Sequence, residues 1–381
     1  MTLTFRVLRT HDEWSAIRPA WDELISRQAG DILGADVTST FAWAETLWTN
    51  HLNRSGMEII VAESGGQLQA LLPYYRTSKT VHSVPCRSIA PVTELYSGRC
   101  GFILASPQVD LLRELLRALR NLLGTWDVFA FTLVERSASA RLLQEVVALG
   151  QLRIEKIASQ KSPYILLDTP WEAYFASLPR KFRWNLRNFE KKMNAAGEVV
   201  HRVFENDSDL EYFHRAVQEI EKASWKEEAG TSLTANSLQE GFHSHLMKKA
   251  ASSGWFSGHV LEFRGEPVAY VWGVLFENIF YDFKESYKST YREFGPGHVL
   301  KLSLMQQLFS RRVNFYDYMG ACEEYKLRWT DKTYERSTFL LYNNTLRARA
   351  ALWGSKIKKL LARRAPAAPV TAAAPEEDQS V

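Results

Sequence analysis

From Ile279 to Phe309 the chain reads as a strand, a glycine-bearing loop and a helix, joined by Arg292-Glu-Phe-Gly295-Pro-Gly297. The run Ile279 to Tyr291 is rich in aromatic and β-forming residues. From His298 to Phe309, Leu300, Leu304 and Leu308 recur at helical spacing. Two glycines at such a junction let the backbone approach a ligand with no Cβ in the way. The first amides of the helix then face that ligand, with the positive end of the helix dipole behind them. With Arg292 adding charge and His298 at the helix start, Gly295 and Gly297 predict a socket for a diphosphate. On spacing alone, a Gly-Pro-Gly turn that merely starts a helix is the plainer alternative.

The order Arg-x-x-Gly-x-Gly between strand and helix resembles the acyl-CoA loop of the GNAT acyltransferase superfamily. Downstream, Asp317-Tyr-Met-Gly320-Ala-Cys-Glu-Glu324-Tyr325-Lys326-Leu-Arg-Trp329 resembles the ending of its CelD-type branch (cellulose-biosynthesis-like, FemAB-related), roughly DFGxGxxxYKxRW. Other pieces follow the same order: a basic helix over 180–192, Ser224-Trp225-Lys226 with Gly230, and the hairpin at Gly265-Glu-Pro267-Val-Ala269. The likeness spans about residues 165–342. It departs from the family at Ala321, where a second glycine is expected. The resemblance implies a pyrophosphate site at Arg292, Gly295, Gly297 and His298, with acyl-CoA as co-substrate and no permanently bound cofactor.

With 381 residues, the chain is comfortable for two domains. Cys86, Cys100 and Cys322 form neither a disulfide framework nor a metal pattern, and His243 and His245 point apart on their helix. The N-terminus lacks a signal-peptide core, and no stretch reaches the ~18 apolar residues of a membrane span. The expectation is a cytoplasmic protein without a metal. The net charge of +4 is local: residues 345–364 hold seven basic side chains and no acid, and the last seventeen residues hold three acids. The body, with forty charges of each sign, is neutral, which argues against extended nucleic-acid contact.

The first half alternates strand-like runs (3–8, 57–63, 68–75, 126–134, 152–158) with helical ones (12–26, 41–51, 109–123, 139–149). Glu63-Ser-Gly-Gly66-Gln-Leu-Gln-Ala70 echoes Glu262-Phe-Arg-Gly265-Glu-Pro-Val-Ala269, as a duplicated architecture would. Tyr96-Ser-Gly98-Arg-Cys-Gly101 keeps no Arg-x-x-Gly-x-Gly order, so the donor belongs to the second half. The expected fold class is α/β (α+β), with tandem GNAT-like folds and mixed central sheets flanked by helices. A degenerate domain over 1–160 precedes a catalytic one over 165–344, with a break near Ser159 to Pro170. A basic amphipathic helix over 345–364 and a disordered Ala/Pro-rich tail over 365–381 follow.

Acyl transfer from a thioester to an amine needs a neutral amine, a polarised carbonyl and a stabilised thiolate. The resemblance makes Tyr325 the proton donor to sulfur; Lys326 is an anchor for an anionic substrate group or the partner of Glu323 or Glu324 in an ion pair. For the base, Glu324, Glu323, Asp282 and Asp317 stay open. Simple alternation of the strand puts Tyr281, Phe283 and Glu285 on one face, and Phe280, Asp282 and Lys284 on the other. Arg183, Arg187, Trp225 and Lys226 are the candidates for substrate contact, a solvated helix face being the plainer reading of the first two. In 345–364, Leu346, Ala350, Trp353 and Ile357 share one side, as in helices that lie on anionic membranes; docking on its own domain is the alternative.

The expected function is acyl-CoA-dependent N-acylation in cell-envelope biosynthesis. The acceptor is a long-chain (sphingoid) base giving a ceramide-type amide, or an amino sugar of an exopolysaccharide. The rivals are a FemAB-like transferase using aminoacyl-tRNA and a non-catalytic scaffold of a synthase.

Overall fold

The computed structural model describes residues 2–28, 36–52, 56–228, 233 and 236–364; Gly230 and the 365–381 tail lie outside them. The first-half strands are β1 (Thr4–Leu8), β2 (Met57–Ser64), β3 (Gln67–Val81), β4 (Val84–Pro91), β5 (Ile103–Leu104), β6 (Val128–Val134) and β7 (Ile154–Leu166). Those of the second are β8 (Val199–Phe204), β9 (Phe256–Phe263), β10 (Glu266–Phe276), β11 (Ile279–Tyr287), β12 (Phe315–Asp317) and β13 (Thr333–Tyr342). The first-half helices are α1 (His11–Ser15), α2 (Arg18–Gln28), α3 (Phe41–Asn50), α4 (Val109–Leu122) and α5 (Ala138–Ala148). Then come α6 (Trp171–Ser177), α7 (Arg180–Ala196), α8 (Leu210–Lys222), α9 (Trp225–Glu228) and α10 (Ser237–Ser252). The last are α11 (Pro296–Ser310), α12 (Glu324–Leu327) and α13 (Leu346–Arg364).

All thirteen strands join one mixed sheet in the order β1-β2-β3-β4-β6-β13-β7-β12-β11-β10-β9-β8, with β5 against β3. The order is symmetric about its middle. β1–β4 form an antiparallel run ending in the parallel pair β4/β6, and β8–β11 form another ending in the parallel pair β11/β12. The hairpin at Gly65-Gly66 is therefore the counterpart of the one at Gly265, where the sequence echo lies. At all three glycines φ is positive, the region where a Cβ is penalised.

The two halves exchange their last strands. β7 ends the first half but pairs with β12, and β13 ends the second but pairs with β6. The expected break at 159–170 is consequently strand as far as Leu166, and Pro163 lies within β7 opposite Thr333. A proline can sit there because Pro163 is at the end of both ladders, the β13 pairing stopping at it and the β12 pairing starting at Tyr164. The cores follow the same plan. Trp14, Trp21 and Trp43 of the first half share a cluster with Phe213, Phe242 and Trp272 of the second. The opposite face carries α4 and α5 in the first half, and α6, α7 and α11 in the second.

Where a parallel pair separates, a wedge opens between its strands. In the first half the chain at Cys100 fills it, donating its amide to the Thr132 carbonyl at 2.7 Å and bridging to Leu133. The neighbouring Arg99, 2% exposed, bonds Asp317 across the wedge at 2.7 Å and also meets Asp36 and the Tyr334 hydroxyl. Asp317, weighed as a base from sequence, is thus a clamp between the halves. Its other oxygen accepts from Tyr334 at 2.9 Å and from the Met319 amide at 2.7 Å.

Candidate active site

The second wedge lies between β11 and β12, which pair through Ile279–Phe315, Phe280–Tyr316 and Tyr281–Asp317 and then part. β11 is not regular here. Its register against β10 shifts between Trp272 and Gly273, so Lys284 faces Trp272, Asp282 faces Gly273, and Phe283 is left over. Such a bulge turns later side chains onto the other face. Gly273 permits it, since a Cβ there would lie 2.0 Å from the Tyr281 carbonyl oxygen. The simple alternation expected from sequence therefore fails. Asp282 and Glu285, assigned to opposite faces, both reach one ammonium.

That ammonium is Lys301 of α11, 3% exposed, 2.9 Å from Asp282 and 2.7 Å from Glu285. The Tyr316 hydroxyl bonds it as well and donates to Asp282 at 2.6 Å. Burial would lower the Lys301 pKa, but the two carboxylates outweigh it and the value rises. A lysine held this way is charged at every physiological pH. Asp282 is committed to Lys301 and Tyr316, so it serves as a support for the site. Glu285 is more open, its side chain 20% exposed.

Tyr325, at the start of α12, has 39% of its surface open to solvent. Burial first, then the carboxylates of Glu285, Asp282 and Glu323, push its phenol pKa far upward. The phenol thus keeps its proton and can donate it in a hydrogen bond. Next to it the Tyr318 hydroxyl is buried without a hydrogen-bond partner, and burial and the Glu285 charge raise its pKa too. An unpaired buried hydroxyl is costly unless another molecule supplies its partner.

The remaining sequence candidates divide. Lys326 is 7% exposed and pairs with Glu323 at 2.6 Å. Its ammonium lies 2.9 Å from where a Cβ on Gly320 would stand, which gives that glycine of the motif a packing reason. Lys226 bonds the Glu285 carbonyl and so braces the bulged strand. The Trp225 side chain lies outside the described residues. Glu324 is turned away from the wedge, its side chain 85% exposed and paired with Arg328 at 2.7 Å; at the first turn of so short a helix it faces water. Arg183 donates to the Leu178 carbonyl at 3.0 Å, and Arg187 sits 5.1 Å over the Phe175 ring.

The glycine junction is occupied more fully than expected. Gly295 takes φ 57° and ψ 47°, and a Cβ there would meet the Phe189 ring at 2.7 Å. Packing by α7 accordingly explains this glycine without a ligand. The Gly295 amide bonds Arg292, those of His298 and Val299 bond the Gly295 carbonyl, and Pro296 has none. The Gly297 amide remains, with exposed Arg292 beside the helix start. His298 stacks on Phe189 at 5.7 Å, and burial, helped by Arg328 and Lys301, lowers its pKa to about 4. It is neutral at pH 7.

Glu285, Lys301, Tyr316 and Tyr318 were missed from sequence. Lys301 left a trace, a single cation inside the apolar helix run between Leu300 and Leu302. Among the described residues no group of His, Cys, Asp and Glu could hold a metal ion, and no helix is long and apolar enough to cross a membrane.

Residues 180–327 match the family model of the acetyltransferase (GNAT) domain. The matched residues thus carry a GNAT-type acyltransferase domain, and the whole chain has a mixed α/β fold with one large sheet flanked by helices. Among solved structures, FemX is similar over 93% of this chain and 99% of its own, at 12% identity and TM-score 0.59. A conserved protein of unknown function from Bacteroides thetaiotaomicron VPI-5482 is similar over 89% of this chain and all of its own (11%, TM-score 0.58). The C-terminal domain of a putative lysylphosphatidylglycerol synthetase from Agrobacterium fabrum is similar over 88% and 96% (14%, TM-score 0.51). At these identities the likeness is one of fold. No curated protein matches the chain.

Proposed function

We propose that the protein is a CelD-type N-acyltransferase of cell-envelope biosynthesis, moving an acyl group from CoA to the amine of a long-chain, sphingoid-type base. The observation that carries the transfer chemistry is the wedge between β11 and β12. There the Glu285 carboxylate, the protonated Tyr325 phenol and the unpaired Tyr318 hydroxyl meet beside a fixed positive charge on Lys301.

In this reading the amine loses a proton to Glu285 and its nitrogen attacks the thioester carbonyl carbon. As the C–N bond forms and the C–S bond breaks, the Tyr325 phenol gives its proton to the departing sulfur, so CoA leaves as the thiol, and the proton taken by Glu285 passes to the Tyr325 oxygen across the hydrogen bond between them, restoring both groups. Holding amine and thioester together supplies much of the rate. The Gly297 amide and Arg292 hold the pyrophosphate of the donor, and Lys326 with Lys226 keeps the acceptor side of the wedge in shape.

The choice of a lipid amine rests on the basic, partly apolar surface of α13, which also supports a peripheral position on the cytoplasmic face of a membrane. The test is release of CoA thiol by the purified protein from acyl-CoAs of graded length. The acceptors offered are a sphingoid base, a hexosamine and, with aminoacyl-tRNA as donor, a peptide amine. Release with the sphingoid base supports the reading, release with the hexosamine alone moves the acceptor to a polysaccharide, and turnover with the tRNA donor alone overturns it.

A further inference from the structure

Helix α13 is held to the body by the face opposite its large apolar side chains. Ala348 and Ala351 are fully buried, and Ser355 is 2% exposed with its hydroxyl on Glu155. Gly354 passes so close to the turn before β4 that a Cβ would stand 3.0 Å from the His82 carbonyl oxygen. Thr345 caps the start, accepting from the Ala348 amide at 3.1 Å and donating to Asp127 at 2.7 Å. At about 100° per residue, Leu346, Trp353 and Ile357 fall in one narrow stripe on the far side. They are 83%, 65% and 53% exposed.

A docked helix ordinarily presents polar residues to water. This one presents Leu, Trp and Ile, flanked by exposed Arg347, Arg349 and Lys356, with the Lys356 ammonium 5.6 Å from the Trp353 ring centre. No acidic residue lies between 345 and 364. A protein partner would match the apolar stripe, but an all-basic border around an interfacial tryptophan complements an anionic lipid surface on both counts. Since the opposite face is already packed, the helix need not fold on arrival.

We infer that the outward face of α13 is a preformed seat on an anionic phospholipid bilayer. Leu346, Trp353 and Ile357 enter the boundary between headgroups and acyl chains, and Arg347, Arg349 and Lys356 meet headgroup phosphates. The inference deepens the lipid-amine reading by giving the surface from which such an acceptor is drawn. Its test reads binding without turnover, so the two can fail separately.

The full-length protein is floated with vesicles of phosphatidylglycerol and phosphatidylcholine, and with phosphatidylcholine alone. Capture by the anionic vesicles is expected, about tenfold weaker on neutral ones and weakened by salt. W353E/I357E and, separately, R349E/K356E should each reduce capture about tenfold or more. Both should keep the wild-type circular dichroism melt, since all four side chains face solvent. Deleting 345–381 is a poorer probe, because it also strips the packed face from β4 and β13. Equal capture of either double variant overturns the inference, as does equal capture by neutral vesicles. So does a wild-type dimer in solution that W353E/I357E converts to a monomer, which would assign the stripe to a second copy of the chain.

Discussion

Replacing Lys301 with methionine removes one charge and little volume. The ammonium now stands 2.9 Å from Asp282 and 2.7 Å from Glu285, whose side chains are 5% and 20% exposed. Removing one partner of a buried pair costs about 3–5 kcal/mol. The variant has an escape that sets a ceiling, because one carboxyl can bind a proton instead. From an unfolded carboxyl pKa of about 4.3, holding that proton at pH 7 costs about 1.4 kcal/mol per unit, roughly 3.7 kcal/mol in all. The folded variant then binds a proton the unfolded chain lacks, so its stability falls as pH rises above the unfolded value. Lys301 itself, with its raised pKa, stays charged throughout this range and gives the wild type no slope of its own. The deficit should grow from about 1 kcal/mol near pH 5 to just under about 4 kcal/mol near pH 7. Urea unfolding of both proteins at three pH values, followed by tryptophan fluorescence, measures it. An equal deficit at the two ends of that range would refute the view that these carboxylates depend on the ammonium.

Tyr325→Phe should lower turnover by about a hundredfold or more while leaving acyl-CoA affinity near the wild-type value, because the phenol acts on the departing sulfur. Steady-state kinetics with a binding isotherm separates the two, and unchanged turnover removes Tyr325 from the mechanism. Gly297→Trp should abolish acyl-CoA binding in calorimetry with the far-ultraviolet spectrum kept, since a Cβ there meets the Tyr287 ring at 3.3 Å and a larger side chain must turn toward the socket. Retained affinity would move the donor site elsewhere.

Much of the architecture was written locally. The Thr40 hydroxyl caps α3, accepting from the Trp43 amide. The glycine hairpins and the strand–loop–helix junction formed where their residues required φ above zero or a free helix start. The duplication was visible in the echo between residues 63–70 and 262–269, and the sheet order bears it out. Phe182, Leu186 and Phe189, at helical spacing on α7, pack inward.

Three things needed the folded chain. The exchange of β7 and β13 was hidden because pairing between strands about 170 residues apart is set by which sheet edge is open. The composition of the wedge was hidden because one bulge at Phe283 reverses the later side chains of β11, bringing Glu285 to Lys301. The outward stripe of α13 was legible as amphipathic, yet the sequence did not say which face packs: small Ala348, Ala351 and Ser355 permit closer contact with the sheet than Leu and Trp do. Short-range sterics fix turns, caps and periods, so they can be read residue by residue. Register, long-range charge pairing and the choice of packed face depend on what else competes for the same space, and that is decided when the whole chain closes.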